Sequence, residues 1–427
     1  MSMRKLLFSA FLFLLAPFAK AQDSVNITTV ADTVLPAAEN PDIYSFEADS
    51  IMPADSLLPW AQRVRSRLES LVSDNMFAVS QLGMCVYDIT ADSLVFQHNM
   101  YQTLRPASTE KLLTSITALH FLGGSYRFVT SLYVEGAVED SVLHGNVYIK
   151  GGMDPAFGHD DMRAFANSLI EKGIYSIDGE IYADVSFKDT LKWGSGWCWD
   201  DESSSLTPLL YNGHDNFMEK FFEALADDSI KNKGTFFFKQ VPSGADVFNI
   251  VSRYHTIDQV LMPMMKDSDN MYAEAMFYQL GAGKKNDYAT AEQSAGRIKE
   301  LINRIGLDAS RYRIADGSGL SLYNYVSPEL LMRMLCYAHS RSNIFDHLYP
   351  SLPVAGVDGT LSRRMTGTTA DDNVHAKTGT LEGVSTLAGY AVSSENHILA
   401  FAIMNQGIMR HRSAHAFQNN VCRIITE

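Results

Sequence analysis

Ser108 and Lys111 stand three residues apart in Pro106-Ala107-Ser108-Thr109-Glu110-Lys111-Leu112-Leu113. If this stretch is helical, residues three apart share a face, and the hydroxyl and the amine can touch. A serine hydroxyl becomes an effective nucleophile only when a base takes its proton. A lysine at its ordinary pKa of about 10.4 is protonated at neutral pH and cannot be that base. Burial and nearby cations push the value down. The pair therefore makes chemical sense if the lysine is buried and a second cation lies close. A serine at a helix start also has the positive end of the helix dipole beneath its developing charge. The chemistry these residues could do is acyl transfer through a serine ester.

Two further segments fit that chemistry. In Lys266-Asp267-Ser268-Asp269-Asn270, Ser268 can relay a proton between Lys111 and a leaving amine, and Asn270 can hold the lysine and a substrate amide. In Lys377-Thr378-Gly379-Thr380, Lys377 offers a cation for a substrate carboxylate and the two threonines offer hydroxyls. Gly379 lets a substrate strand come close to the backbone. The N–H groups of Ser108 and Thr380 can together form an oxyanion hole. Taken singly these patterns are weak. S-x-x-K is expected about once by chance in a chain this long. S-x-N recurs at Ser24/Asn26, Ser73/Asn75 and Ser394/Asn396, and a serine or aspartate before a helix reads equally well as a cap.

The elements that must position these residues follow from periodicity. Leu57, Trp60, Ala61, Val64, Leu68 and Leu71 recur at helical spacing and predict a helix over 57–72. A hairpin follows at 83–89 and 93–97, then a helix from Ser108 to Phe121. The chain reads as strand-rich from 126 to 187, with one helix near 160–172 and turns at Gly145-Asn146, Gly151-Gly152 and Asp178-Gly179. A loop carrying Trp193, Trp197, Trp199, Asp200 and Asp201 comes next. Helices are expected at about 215–226, 256–265, 271–281, 290–304 and 327–339. Two β-like runs, 385–392 and 398–404, precede a last helix near 412–424. S-x-x-K thus opens a helix, S-x-N lies in a loop before one, and K-T-G enters a strand.

The 427 residues, 46% of them hydrophobic, suffice for one large domain or two ordinary ones. A formal charge of −14 argues against nucleic acid as a partner. Arg4 and Lys5, the apolar run Leu6 to Phe18 and Ala19-Lys20-Ala21 resemble an export signal cleaved before Gln22. Residues 1–21 are accordingly expected to be a signal peptide, and the mature protein to be periplasmic or secreted. Residues 22–55 hold Asp23, Asp32, Glu39, Asp42, Glu47, Asp49 and Asp55 with no Lys or Arg, and read as an acidic disordered linker. The four cysteines, Cys85, Cys198, Cys336 and Cys422, show neither a zinc pattern nor a disulfide framework.

In its three motifs and their order the chain resembles the serine β-lactamases and penicillin-binding proteins. The likeness narrows to class C low-molecular-mass penicillin-binding proteins, the D-Ala-D-Ala carboxypeptidase/endopeptidase family. It is carried by Pro106 to Lys111, Tyr126-Arg127-Phe128, Tyr148-Ile149-Lys150-Gly151-Gly152-Met153-Asp154-Pro155 and Gly196-Trp197-Cys198-Trp199-Asp200-Asp201. Lys266 to Tyr272, Asp316-Gly317-Ser318-Gly319-Leu320-Ser321 and Leu352 to Leu361 extend it, so that it spans about residues 80–410. The resemblance implies an α+β fold of the penicillin-binding/β-lactamase-like kind, an antiparallel sheet packed by helices with an inserted α/β module. Its transpeptidase-like catalytic domain would comprise 56–125 and 213–427, and the insert 126–212.

The activity the resemblance implies is hydrolysis of D-Ala-D-Ala ends or cross-links in peptidoglycan peptides through an acyl-enzyme, inhibited by β-lactams, without cofactor or metal. Carboxypeptidase and endopeptidase action both stay open. Ser108, Lys111, Ser268, Asn270 and Lys377 are the expected catalytic residues, with Thr378, Gly379 and Thr380 binding substrate. Asp201, or Asp200, would meet a substrate amine. Leu322 stands where many relatives have an arginine thought to clamp a carboxylate on the third stem-peptide residue, so that contact is not expected. A class A β-lactamase would add a Glu with Asn four positions on. Between Asn270 and Lys377 no Glu does so; Glu300 has Asn303 at three. A catalytically silent wall-binding protein is the other alternative, and it would be expected to lack one of the polar groups present here.

Overall fold

The computed structural model describes residues 58–201, 203–282 and 288–427. The expected signal peptide and the whole of the expected linker, 22–55, lie outside the described residues. Helix α1 (Trp60–Val72) precedes the hairpin β1 (Gln81–Asp88) and β2 (Ser93–His98), and a tight turn at Ala107–Thr109 leads into α2 (Glu110–Phe121). Next come β3 (Arg127–Glu139), β4 (Val142–Lys150), α3 (His159–Glu171), β5 (Ser176–Ile177), β6 (Ile181–Asp184), α4 (Phe217–Asp227), β7 (Phe236–Phe238) and β8 (Val247–Thr256). Helices α5 (Ile257–Lys266), α6 (Asn270–Gly281), α7 (Ala291–Arg304), α8 (Pro328–His339) and α9 (Ser342–Ser351) follow. The chain closes with β9 (His375–Leu381), β10 (Val384–Val392), β11 (Ile398–Gln406) and α10 (His411–Thr426). Among the described residues no helix is long and apolar enough to cross a membrane.

The first sheet has the order β2-β1-β11-β10-β9 and is antiparallel throughout. It joins the N-terminal hairpin to the C-terminal strands, with Cys85 opposite Ala402 and Ala388 opposite Lys377. Strands β10 and β11 are buried at nearly every position, because both faces of the sheet are covered. Gln418 of α10 donates to Ser385 and Asn405, a cross-strand pair on one face. Tyr390, five residues from Ser385 and so on the other face, donates to the Leu335 carbonyl of α8. Behind α8 lies α2, in which every residue from Glu110 to Leu119 is buried. A helix enclosed on all sides in this way is a core element.

Local sequence sets the helix starts. Thr256 and Gln259 form a capping box at α5, and Thr290 and Gln293 another at α7. Ser327 caps α8 with Pro328 at its first position.

The second sheet runs β7-β6-β4-β3-β8, with β5 beside β4. Its β3–β4 and β3–β8 pairs are antiparallel, and β4–β6 and β6–β7 are parallel. Helices α3 and α4 supply Phe165, Leu169, Phe217 and Phe221 to a separate apolar cluster with Leu132, Val147 and Ile149. The chain enters this sheet after α2 and leaves it where β8 passes directly into α5. The expected insert ended at 212. The sheet instead draws in α4, β7 and β8 as far as Thr256, because the apolar face of α4 packs into the second cluster and β8 pairs with β3 along nearly its whole length.

Candidate active site

Ser108 sits on the turn ahead of α2, and Ala107 before it takes a left-handed φ of 47°. A non-glycine residue is costly there and persists only when its surroundings hold it. The surroundings are visible. Thr386 of β10 donates to the Pro106 carbonyl at 2.7 Å, and a Cβ on Gly319 would lie 1.8 Å from the Ala107 oxygen. Ser268 is also left-handed, at φ 64°. Asp269, next to it, caps α6 by accepting from the Tyr272 N–H, which aims Asn270 back toward α2.

Lys111 is fully buried and its Nζ has three partners: Ser108 Oγ at 3.0 Å, Asn270 Oδ1 at 2.7 Å and the Ser318 carbonyl at 2.9 Å. Burial pushes its pKa from 10.5 down to about 8, against the pull of Asp316, Glu274, Asp269 and Glu110. Lys377, also buried, donates to Ser268 Oγ at 2.8 Å and to the Thr378 carbonyl at 2.9 Å. Its pKa is held well below the ordinary value, first by burial and then by the charge of Lys111. The sequence called for a second cation near Lys111, and Lys377 is that cation. Burial is the first cause for each, and the two amines repel one another when both are charged. For both amines the direction is downward.

Strand β9 lies against the nucleophile turn. The position of a Cβ on Gly379 would be 2.8 Å from the Ser108 nitrogen and 2.2 Å from Thr386 Oγ1. Only a glycine permits this approach, and it brings the strand carrying Thr380 to the nucleophile's amide. Thr378 Oγ1 is 2.7 Å from Thr360 Oγ1. The structure thus brings Ser108, Lys111, Ser268, Asn270, Lys377, Thr378 and Gly379 into one cleft. Asp201 is placed differently. Its Oδ2 accepts from the Cys198 N–H at 2.6 Å, and it lines a cavity of about 380 Å³ with Trp193, Trp197, Cys198 and Trp199.

Four contributors had no signal in the three motifs. The Ser318 carbonyl is one. Glu274 is the second: its Oε1 accepts from the Gly317 and Ser318 N–H groups at 3.0 and 2.8 Å, fixing that carbonyl, while burial pushes its pKa up to about 8. Asp316 is the third, accepting from Gly319 N, Ser321 N, Asn324 Nδ2 and Trp197 Nε1, and so linking the Trp loop to the loop under Lys111. Thr360 is the fourth. Asp316, Gly317, Ser318 and Gly319 belong to a glycine-rich run between helices that also carries part of the family resemblance, as Thr360 belongs to the run Leu352 to Leu361. Among the described residues no group of three His, Cys, Asp or Glu side chains could hold a metal ion.

Comparison with known proteins agrees with this geometry. The model of the D-Ala-D-Ala carboxypeptidase 3 (S13) family matches residues 64–210 and 210–427. The chain belongs to this family. It is a serine-type D-Ala-D-Ala carboxypeptidase of the penicillin-binding class. It is 25% identical over 438 residues to a D-alanyl-D-alanine carboxypeptidase of Actinomadura sp. (strain R39), covering 81% of each chain. Its fold is similar to the crystal structure of penicillin binding protein 4 (dacB) from Haemophilus influenzae, with a TM-score of 0.75 at 22% identity over 83% of this chain and 98% of that one. It is also similar to the penicillin G-acylated Bd3459 predatory endopeptidase of Bdellovibrio bacteriovorus, with a TM-score of 0.56 at 18% identity over 81% and 93%. The S13 family match spans both sheets, so the carboxypeptidase layer and the excursion into the second sheet belong to one family pattern.

Proposed function

We propose that Ser108 is the nucleophile and Lys111 its base in the hydrolysis of D-Ala-D-X bonds at the ends or cross-links of peptidoglycan stem peptides. The observation that carries this reading is the set of partners around Lys111. A neutral amine has two hydrogens and one lone pair. Asn270 Oδ1 and the Ser318 carbonyl can only accept, so they take the two hydrogens. The lone pair then faces Ser108 Oγ, the one partner with a hydrogen to give. A neutral Lys111 is thereby committed to receiving the nucleophile's proton.

In the proposed course Ser108 attacks the carbonyl of the penultimate D-Ala while its proton passes to Lys111. The backbone N–H groups of Ser108 and Thr380 take up the oxyanion. Collapse breaks the peptide bond, and the proton on Lys111 moves through Ser268 to the departing amine. Water then frees the acyl group, with its proton returning to Ser108 along the same route. Lys377 and Thr378 receive the carboxylate of the departing residue. Asp201, on the Trp loop, is the residue proposed to face a substrate amine. The excursion of the chain into the second sheet is read as a module inserted in this catalytic layer. Peptidoglycan lies outside the cytoplasmic membrane, which supports export by the N-terminal signal with cleavage near Ala21.

Ser108→Ala should abolish labelling by a fluorescent penicillin while the protein stays folded. Undiminished labelling would overturn the assignment. Digestion of purified wall fragments separates the two activities by mass: loss of one alanine marks carboxypeptidase action, and halved dimers mark endopeptidase action.

A further inference from the structure

The residue that leaves carries a carboxylate, and a carboxylate can only accept hydrogen bonds. The cleft must therefore present donors. Its two lysines are largely committed: all three hydrogens of protonated Lys111 have partners, and Lys377 spends two of its three on Ser268 Oγ and the Thr378 carbonyl. Hydroxyl groups have to complete the set. Thr378 is one, and its hydroxyl does not stand alone. It is 2.7 Å from the hydroxyl of Thr360, which is exposed at the same wall. Of two hydroxyls in contact, one donates to the other; with Thr360 as the donor, the Thr378 O–H is left to point outward, aligned and polarised by the bond its oxygen accepts.

Thr360 is held where it is by a strut. Asp358 accepts from the Val354 N–H at 2.8 Å and from Lys266 Nζ at 2.6 Å, and Lys266 donates also to the Leu352 carbonyl at 2.6 Å. Lys266 is the last residue of α5, two positions before Ser268. On the other side, Val354 bridges His375 at the start of β9, and Ala376 N–H donates to the Pro353 carbonyl. β9 is the edge strand of its sheet. The turn bearing Thr360 therefore packs along that open edge, tied at once to the S-x-N loop and to the K-T-G strand.

We infer that Thr360 is a specificity-determining residue whose hydroxyl, by donating to Thr378, aims the Thr378 O–H at the free carboxylate of the departing residue. The inference rests on the reading of the cleft given above. It selects a substrate with a free C-terminal carboxylate over one in which that group is an amide.

The test uses Thr360→Val and Thr360→Ser in the full-length enzyme, with a stem pentapeptide ending in D-Ala-D-Ala and its C-terminal amide. Thr360→Val should raise KM for the acid about tenfold, the effect of losing a hydrogen bond to a charged group, with kcat within about twofold. The wild-type preference for acid over amide in kcat/KM should fall by the same factor, and Thr360→Ser should restore it. Equal losses on acid and amide would mean a purely structural role and would overturn the inference. So would an unchanged KM for the acid, or a wild type with no preference. Fluorescent penicillin at saturation should still label Thr360→Val. Its failure to label Ser108→Ala reports on the nucleophile, so the two readings can fail separately.

Discussion

An ammonium on Lys111 gives its three hydrogens to Ser108 Oγ, Asn270 Oδ1 and the Ser318 carbonyl, and while it does so no proton can leave Ser108. With Lys111 as the proposed base, catalysis follows the neutral amine. Burial brings the Lys111 pKa to about 8, so the protonated, inactive form dominates below that pH and the base is available above it. The second-order rate of acylation by a fluorescent penicillin should rise about tenfold per pH unit below 7, bend near 8 and level off above about 9. Lys111→Arg, which stays protonated throughout this range, should not be acylated at any of these pH values. A rate flat between pH 6 and 9 in the wild type would contradict the assignment of Lys111 as base. At this scale the clustering of Ser108, Lys111, Asn270 and Lys377 was legible because each side-chain type stands in a motif of fixed spacing. The Ser318 carbonyl was not, because any residue carries a carbonyl. Thr360 was not, because its partner Thr378 lies 18 positions away on a neighbouring strand. Asp201 was legible as a loop acid, and its hydrogen bond to Cys198 is a local turn that sequence spacing does not reveal.

The nucleophile turn and the loop under Lys111 are fitted to each other through Gly319. Its φ is 83°, and a Cβ there would meet the Ala107 oxygen at 1.8 Å. Gly319→Ala would have to push the two loops apart, moving Ser108 away from β9 and the Ser318 carbonyl away from Lys111. A misplacement of about 1 Å at a reacting group costs about 10²-fold, so acylation should fall by about that factor even where circular dichroism reports native helix content. Acylation within a fewfold of wild type would show that the loop yields without disturbing the site. Apart from α9 and the start of α1, expected three residues early, the helices were read from sequence to within a residue or two, since their apolar periodicity and caps such as Thr256, Thr290 and Ser327 are local. The edge strands were harder. Phe236–Phe238 is exposed at all three positions and Val247–Thr256 is partly exposed throughout, so neither shows the alternation that marks a half-buried strand. α9 was missed as a helix, since Pro350 lies inside its last turn. The pairing of β1 with β11 joins residues over 300 positions apart, and no local pattern announces it.

At the scale of the molecule, the described residues include a large apolar cluster around α2 and a second one under the second sheet, and the second can matter to the cleft only if the two are coupled. Phe157, Phe165 and Phe217 pack ring against ring, with centroids 5.1, 4.8 and 6.3 Å apart, and all three are almost fully buried in the second cluster. Phe165→Ala leaves a cavity there and should cost about 3–5 kcal/mol, a large part of the stability of an ordinary domain. The second sheet is not hung on a flexible linker. β8 becomes α5 without an intervening residue, and α5 ends at Lys266, whose ion pair with Asp358 and proximity to Ser268 reach the cleft. Loss of order in the second sheet should therefore be felt at Ser268. In a urea titration of Phe165→Ala, competence for penicillin labelling and far-UV circular dichroism should fall together at one midpoint, lower than that of the wild type. A first transition that removes strand signal and leaves labelling intact would mean that the second sheet unfolds alone. The direct passage from β8 into α5 would then be a covalent connection without energetic coupling.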